Sequence, residues 1–245
     1  MRLSKAWIIA SKDFKTFRKK RFIIQSIIGF VLVVSIGLPL IIELVILKAK
    51  NPPAVVLPVL INAFSFWFVI GPAAIPISIA SYSLVGEKVQ KSLEPLLAAP
   101  VTDSEILVGK SIAAFIPSIA STYIGAVVFM FLIDLFTFGK LTYLSFPNWN
   151  IGVILLLLAP LSCIFSIGIN VLISSRINDI RAAQQLGTFI LIPLAIIYFM
   201  SEFKIISLTI TNLLIMSAVL FVIDIIVFYI VKATFRREEI LTKWR

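Results

Sequence analysis

Histidine is absent from all 245 residues, and the single cysteine, Cys163, lies inside an apolar run. Without histidine there is no Ser-His-Asp hydrolysis, no HExxH zinc site and no imidazole proton relay. One cysteine leaves no disulfide framework and no Cys-ligated metal site. Charge is scarce too: 14% of residues are Asp, Glu, Lys or Arg while 60% are apolar, far from the balance of soluble globular chains. The chain reads as an all-α polytopic membrane protein.

What charge there is sums to +10, and its placement argues against nucleic acid. Most of it flanks apolar runs, where anionic lipid and topology selection act. A bilayer core about 30 Å thick takes roughly 20 apolar residues per helical crossing. Six segments qualify, at about 22–47, 54–84, 111–136, 151–175, 183–200 and 208–231. The second is longer than a crossing needs, and Pro72 and Pro76 inside it predict a bend.

Ahead of the first span, Leu3, Trp7, Ala10, Phe14 and Phe17 share one helical stripe, with Lys5, Lys12, Lys15 and Lys19 facing away. Residues 1–21 therefore read as an amphipathic helix in the headgroup layer. The apolar run after Arg21 is too long for a signal-peptide core and ends in Lys48 and Lys50 with no small-residue cleavage site. With the N-terminus inside, 18 of the 22 Lys and Arg fall on the cytoplasmic side and only Lys48, Lys50, Lys140 and Lys204 outside. Both termini are expected in the cytoplasm.

Between the second and third spans lies "LEPLLAAPVTDSEILVGKS", residues 93–111. Gly109, Lys110 and Ser111 match the tail of a phosphate-binding GxxxxGK[ST] loop, but Ser104 stands where the first glycine must be, and a membrane helix precedes the segment instead of a strand. Lys110 reads instead as a lysine among lipid headgroups at the mouth of the third span. Val89, Leu93, Leu96 and Leu97 form an apolar stripe at i, i+4, i+7 and i+8, with Glu87, Lys88, Lys91 and Glu94 on the other faces. Pro95 suits a first turn, so this helix starts near Ser92 or kinks there, and Pro100 ends it. Thr102 and Glu105 then form a T-x-x-E capping box for a new helix running into the third span. A helix resting on lipid and a helix docked in the groove of a soluble partner both explain the stripe.

The segment "GEKVQKSLEPLLAAPVTDSEILVGK", residues 86–110, resembles the signature of membrane permeases of ABC transporters in the type-2, exporter-like class. Glu87, Leu93, Glu94, Leu96, Leu97, Pro100, Val101, Gly109 and Lys110 carry the likeness, and "SSRINDIRAAQQLGTFILIP", residues 174–193, is similar to that family's loop into the fifth span. The resemblance implies one transmembrane domain over 1–245 with no ATPase of its own. It also implies a separate ATP-binding subunit carrying ATP and Mg, a second permease half, and a plasma-membrane setting. Residues 87–100 would be the coupling helix, with Glu87, Leu93, Glu94, Leu96, Leu97 and Pro100 as the partner-binding set. Some relatives carry a large extracellular domain after the first span, where this chain has only "KAKNPPA".

Intramembrane acids are functional candidates, since a mid-helix Asp costs about 2.5–3.5 kcal/mol on insertion scales. Asp224 is the deepest, either lining a pathway or pairing with a neighbouring helix; Glu43 and Asp134 lie near outer span ends. The resemblance implies that the second and fifth spans line the pathway. Asn62, Ser65, Trp67, Ser78, Ser81 and Tyr82 are candidate cargo contacts there, or packing residues, and Gln184 and Gln185 are candidates for an inner gate. An ion-gradient-driven secondary carrier is the alternative, and Asp224 is its one carboxylate in support. A membrane-embedded enzyme lacks any assembled reaction centre in the sequence.

Overall fold

The computed structural model describes residues 3–47, 56–89, 101–138, 144–203 and 205–234. Helix α1, Leu3–Phe17, precedes six helices long and apolar enough to cross a membrane. These are α2 (Arg21–Leu44), α3 (Leu57–Glu87), α4 (Asp103–Thr137), α5 (Trp149–Arg176), α6 (Ile180–Ser201) and α7 (Ile210–Thr234). No strand occurs among the described residues. The protein is thus all-α, and its six spans fall on the six apolar runs of the sequence.

The helices start where side chains cap them. Thr102 accepts from the Glu105 amide while the Glu105 carboxylate accepts from the Thr102 amide, the reciprocal box its T-x-x-E spacing predicts. Asn148 and Asp179 cap α5 and α6 by accepting from the amides of Ile151 and Ala182.

Helix α3 is the centre of the bundle. In its most apolar stretch 83% of residues are buried, against 22% to 44% for the other five spans. It packs on α5, α4, α6 and α2. The chain stays helical through Pro72 and Pro76, and the regular helix breaks at Phe66, where the Phe66 and Val69 amides bond three residues back, to Ala63 and Phe66. In α6 a proline does set the break. Pro193 has no N–H and crowds the carbonyl four residues back, that of Phe189, where the ladder shifts to three-residue turns at Phe189, Ile190 and Ile192.

Two apolar cores stack along the bundle. One gathers Phe66, Phe68, Phe129, Ile151 and Leu213; the other gathers Ile9, Ile106, Ala113, Ile167 and Val227 beside α1. Outward faces are apolar as well, with Val33, Phe131, Leu156, Phe199 and Phe221 exposed. So much exposed apolar surface fits a hydrocarbon surround.

Candidate functional site

Helix α1 contains one acid, Asp13, among three basic residues, Lys5, Lys12 and Lys15. A helix resting on lipid by its apolar stripe would keep Asp13 in water, yet Asp13 is 4% exposed. The face that α1 buries is Ala6, Ile9, Ala10, Asp13 and Phe17, while Trp7 of the expected stripe is 54% exposed. The helix is rotated so that its acid, with the small residues one turn apart, meets α4.

Gly109 of α4 permits this. A Cβ there would stand 2.7 Å from the Ala6 carbonyl oxygen and 2.9 Å from Ile9 Cβ, so any side chain would lift α1 away. Closely seated, α1 roofs the next residue, Lys110, which is 3% exposed. This corrects the sequence expectation for Lys110: its ammonium lies inside the protein instead of among headgroups, because α1 covers it.

Lys110 Nζ is 2.7 Å from Glu87 Oε2 and 3.5 Å from Asp13 Oδ2. It donates to the Ser83 carbonyl at 2.8 Å and to Ser83 Oγ at 3.0 Å. Ser83 Oγ in turn donates to Asp13 Oδ2 at 2.7 Å. Ser83 and Glu87 are four residues apart on α3, hence on one face. Lys12 Nζ reaches Glu87 Oε1 at 3.0 Å from a half-exposed position. Two carboxylates thus face two ammonium groups, and the charges balance.

Burying ions costs several kcal/mol each unless geometry and hydrogen bonds compensate, and here the Lys110 ammonium has its donors engaged. Burial pushes the Asp13 carboxyl above the usual carboxylate range, with the Lys110 ammonium and the Ser83 hydroxyl pulling the other way. The exposed Lys12 pair is worth little beside the buried Lys110 pair. This ionic knot ties α1, α3 and α4 together at one end of the bundle.

The knot brackets the leucine-bearing segment. Glu87 stands near the end of α3, which stays helical to Val89, and Lys110 and the Thr102 box lie just beyond the segment. Of the partner-binding set, Glu87 is in the knot; Leu93, Glu94, Leu96, Leu97 and Pro100 fall outside the described residues.

The remaining candidates are scattered. On α3, Ser65, Ser78 and Ser81 are buried, and Asn62, Trp67 and Tyr82 half-buried. The Ser65 hydroxyl donates to its own helix at Ile61 O, Trp67 meets Tyr198 of α6 edge-on at 5.7 Å, and Lys20 sits 5.0 Å over the Tyr82 ring. On α6, Gln184 is half-buried and Gln185 exposed. Asp134 ties down the segment before α5 by accepting from the Ser145 and Phe146 amides. Asp224 on α7 is 8% exposed, and neither carboxylate oxygen has a hydrogen-bond partner among the described residues.

Sequence reasoning missed Asp13 and Ser83. A lone acid on a basic helix was the available signal. It also missed a polar stripe on α5, Ser162, Ser166, Asn170 and Ser174, all fully buried at four-residue spacing. Ser166 donates to the Ala73 carbonyl of α3, and Asn170 Nδ2 to Ser166 O, so the stripe fastens α5 to the central helix.

Six apolar helices, five of them around the buried α3, closed at one end by an ionic knot, define a polytopic helical membrane protein. The chain belongs to the ABC-2 family: the family model described as ABC-2 family transporter protein matches residues 7–232. No curated protein matches the chain significantly. As an ABC-2 permease domain it is a non-catalytic transmembrane subunit, and permeases of this family generally pair with an ATP-binding subunit.

Proposed function

We propose that this chain is the permease half of an ATP-driven transporter whose residues 86–110 dock into a separate ATP-binding subunit, which carries the ATP and Mg. The observation that supports this best is the knot. Rigid ties at Glu87 and Lys110 hold both flanks of the segment, so a push on it moves α1, α3 and α4 together. A loop helix that only rested on lipid would have no use for such a fastening.

In this reading Leu93, Leu96 and Leu97 enter the partner's groove, with Glu94 beside them and Pro100 closing the helix. The segment and both termini face the cytoplasm, following the distribution of Lys and Arg, and α1 lies at the membrane interface. Two permease halves form the pathway and move cargo outward, or between leaflets, by alternating access. Asn62, Ser65, Trp67, Ser78, Ser81 and Tyr82 are its candidate cargo contacts, and Gln184 and Gln185 its candidate inner gate.

The test replaces Leu96 and Leu97 together with glutamate and measures co-purification with a co-expressed ATP-binding subunit. Membrane insertion is expected to persist while co-purification and stimulated ATPase activity are lost. Unchanged co-purification would overturn the docking. Transport in vesicles driven by an ion gradient without ATP would favour the secondary carrier instead.

A further inference from the structure

Helices α4, α5 and α7 enclose a groove of about 540 Å³, a volume within the range of small-molecule sites. Its walls are apolar, built from Leu107, Ile112 and Phe115 of α4, Ile167 and Val171 of α5, and Val227 of α7. At the rim Ile164 and Phe228 are 46% and 58% exposed, so the groove opens sideways on the outer surface of the bundle. One end is polar, with Ser104, Ser111 and Lys232. Asp224 lies two turns further in along α7, about 12 Å from Lys232 at 1.5 Å per residue.

Asp224 is the one acid in that lining, more than nine-tenths buried, with both oxygens lacking partners among the described residues. Packing does not account for it. Nearby, Gly168 lets α7 close on α5 so tightly that a Cβ there would stand 2.6 Å from Val227 Cγ1. An acid placed in an apolar groove without a partner in the fold is complementary to a donor from outside the fold.

We propose that this groove binds a hydrophobic amine, a molecule with an apolar body and a protonated amino group, whose ammonium donates to Asp224 while the body fills the walls. The ligand enters from the lipid side. The Asp224 carboxyl selects the head, and the absence of other acids in the lining fixes its depth. The site faces away from the ionic knot and does not depend on docking of an ATP-binding subunit, so it is testable on the full-length permease alone.

The probe is a dodecylamine bearing a photoreactive diazirine, added to the purified full-length protein in lipid nanodiscs, with a diazirine-bearing dodecyl methyl ether as the uncharged control. Labelled peptides are mapped by mass spectrometry. Saturable labelling by the amine is expected within residues 104–115, 164–171 and 224–232, competed by unlabelled dodecylamine. Asp224→Asn is expected to weaken amine binding about tenfold or more, leave the ether within twofold, and keep a monodisperse elution profile. Ile164→Trp, which fills the mouth and leaves Asp224 in place, provides an independent block and is expected to reduce labelling by both probes. Equal labelling by amine and ether would mean that the groove holds only lipid chains and would overturn the proposal. So would labelling outside the three segments, or an Ile164→Trp protein that binds the amine like the wild type.

Discussion

Asp13 and Asp224 are both carboxylates buried to more than nine-tenths, and their surroundings could hardly differ more. Asp13 accepts from Ser83 at 2.7 Å and faces Lys110 at 3.5 Å, in a cluster whose charges cancel. Asp224 lines a mostly apolar groove, and its oxygens have no hydrogen-bond partner among the described residues. The lesson is that burial of an acid does not state its role; the groups around it do. Asp13 belongs to a finished structural joint, whereas Asp224 leaves a valence for a ligand.

The comparison breaks most easily at Lys110. Lys110→Met would remove the buried cation that Asp13 and Glu87 share, leaving only half-exposed Lys12 beside Glu87, and removing one member of a buried pair costs about 3–5 kcal/mol. The variant is expected to lose most of its thermal stability in detergent, measured as a large fall in the midpoint of unfolding. A midpoint near the wild type would mean that the knot is not the joint described here.

Asp224→Leu sharpens the contrast by its sign. An unsatisfied buried polar group costs about 1–3 kcal/mol, so its removal is expected to hold or raise the unfolding midpoint, where the matching Asp13→Leu lowers it. A marked destabilisation by Asp224→Leu would show that Asp224 has a structural partner after all. The smallest effect is expected from Thr102→Ala, which removes one half of the capping box at the edge of the knot for about 1 kcal/mol, visible as faster hydrogen exchange in the first turn of α4.

How much of this was legible beforehand depends on whether the signal was local. The six spans followed from run length and hydropathy, and the Thr102 box from a three-residue spacing, because both act within a few residues of chain. The rotation of α1 did not follow, since the apolar stripe from Leu3 to Phe17 gives no hint that Asp13 is claimed by a lysine 97 positions away. Lys110 was misread for the same reason: its neighbours place it at the mouth of a span, but only the close seat at Gly109 shows that α1 covers it. Pro193 acts at the carbonyl four residues back as its ring geometry demands, whereas the break of α3 at Phe66 has no proline four residues on to announce it. Asp224 was visible as a deep acid, but the choice between a helix partner and a pathway needed its surroundings.

The central claim is that the segment between Glu87 and Lys110 is where a soluble ATPase grips the membrane protein. It is tested most directly by placing a cysteine at Leu96, after replacing buried Cys163 with alanine, and attempting a cross-link to a co-expressed ATP-binding subunit. A cross-link from position 96, with none from a cysteine at Lys48 on the opposite side, is the predicted result. Labelling of position 96 by a membrane-impermeant thiol reagent on intact cells, with no cross-link to the ATPase, would contradict it.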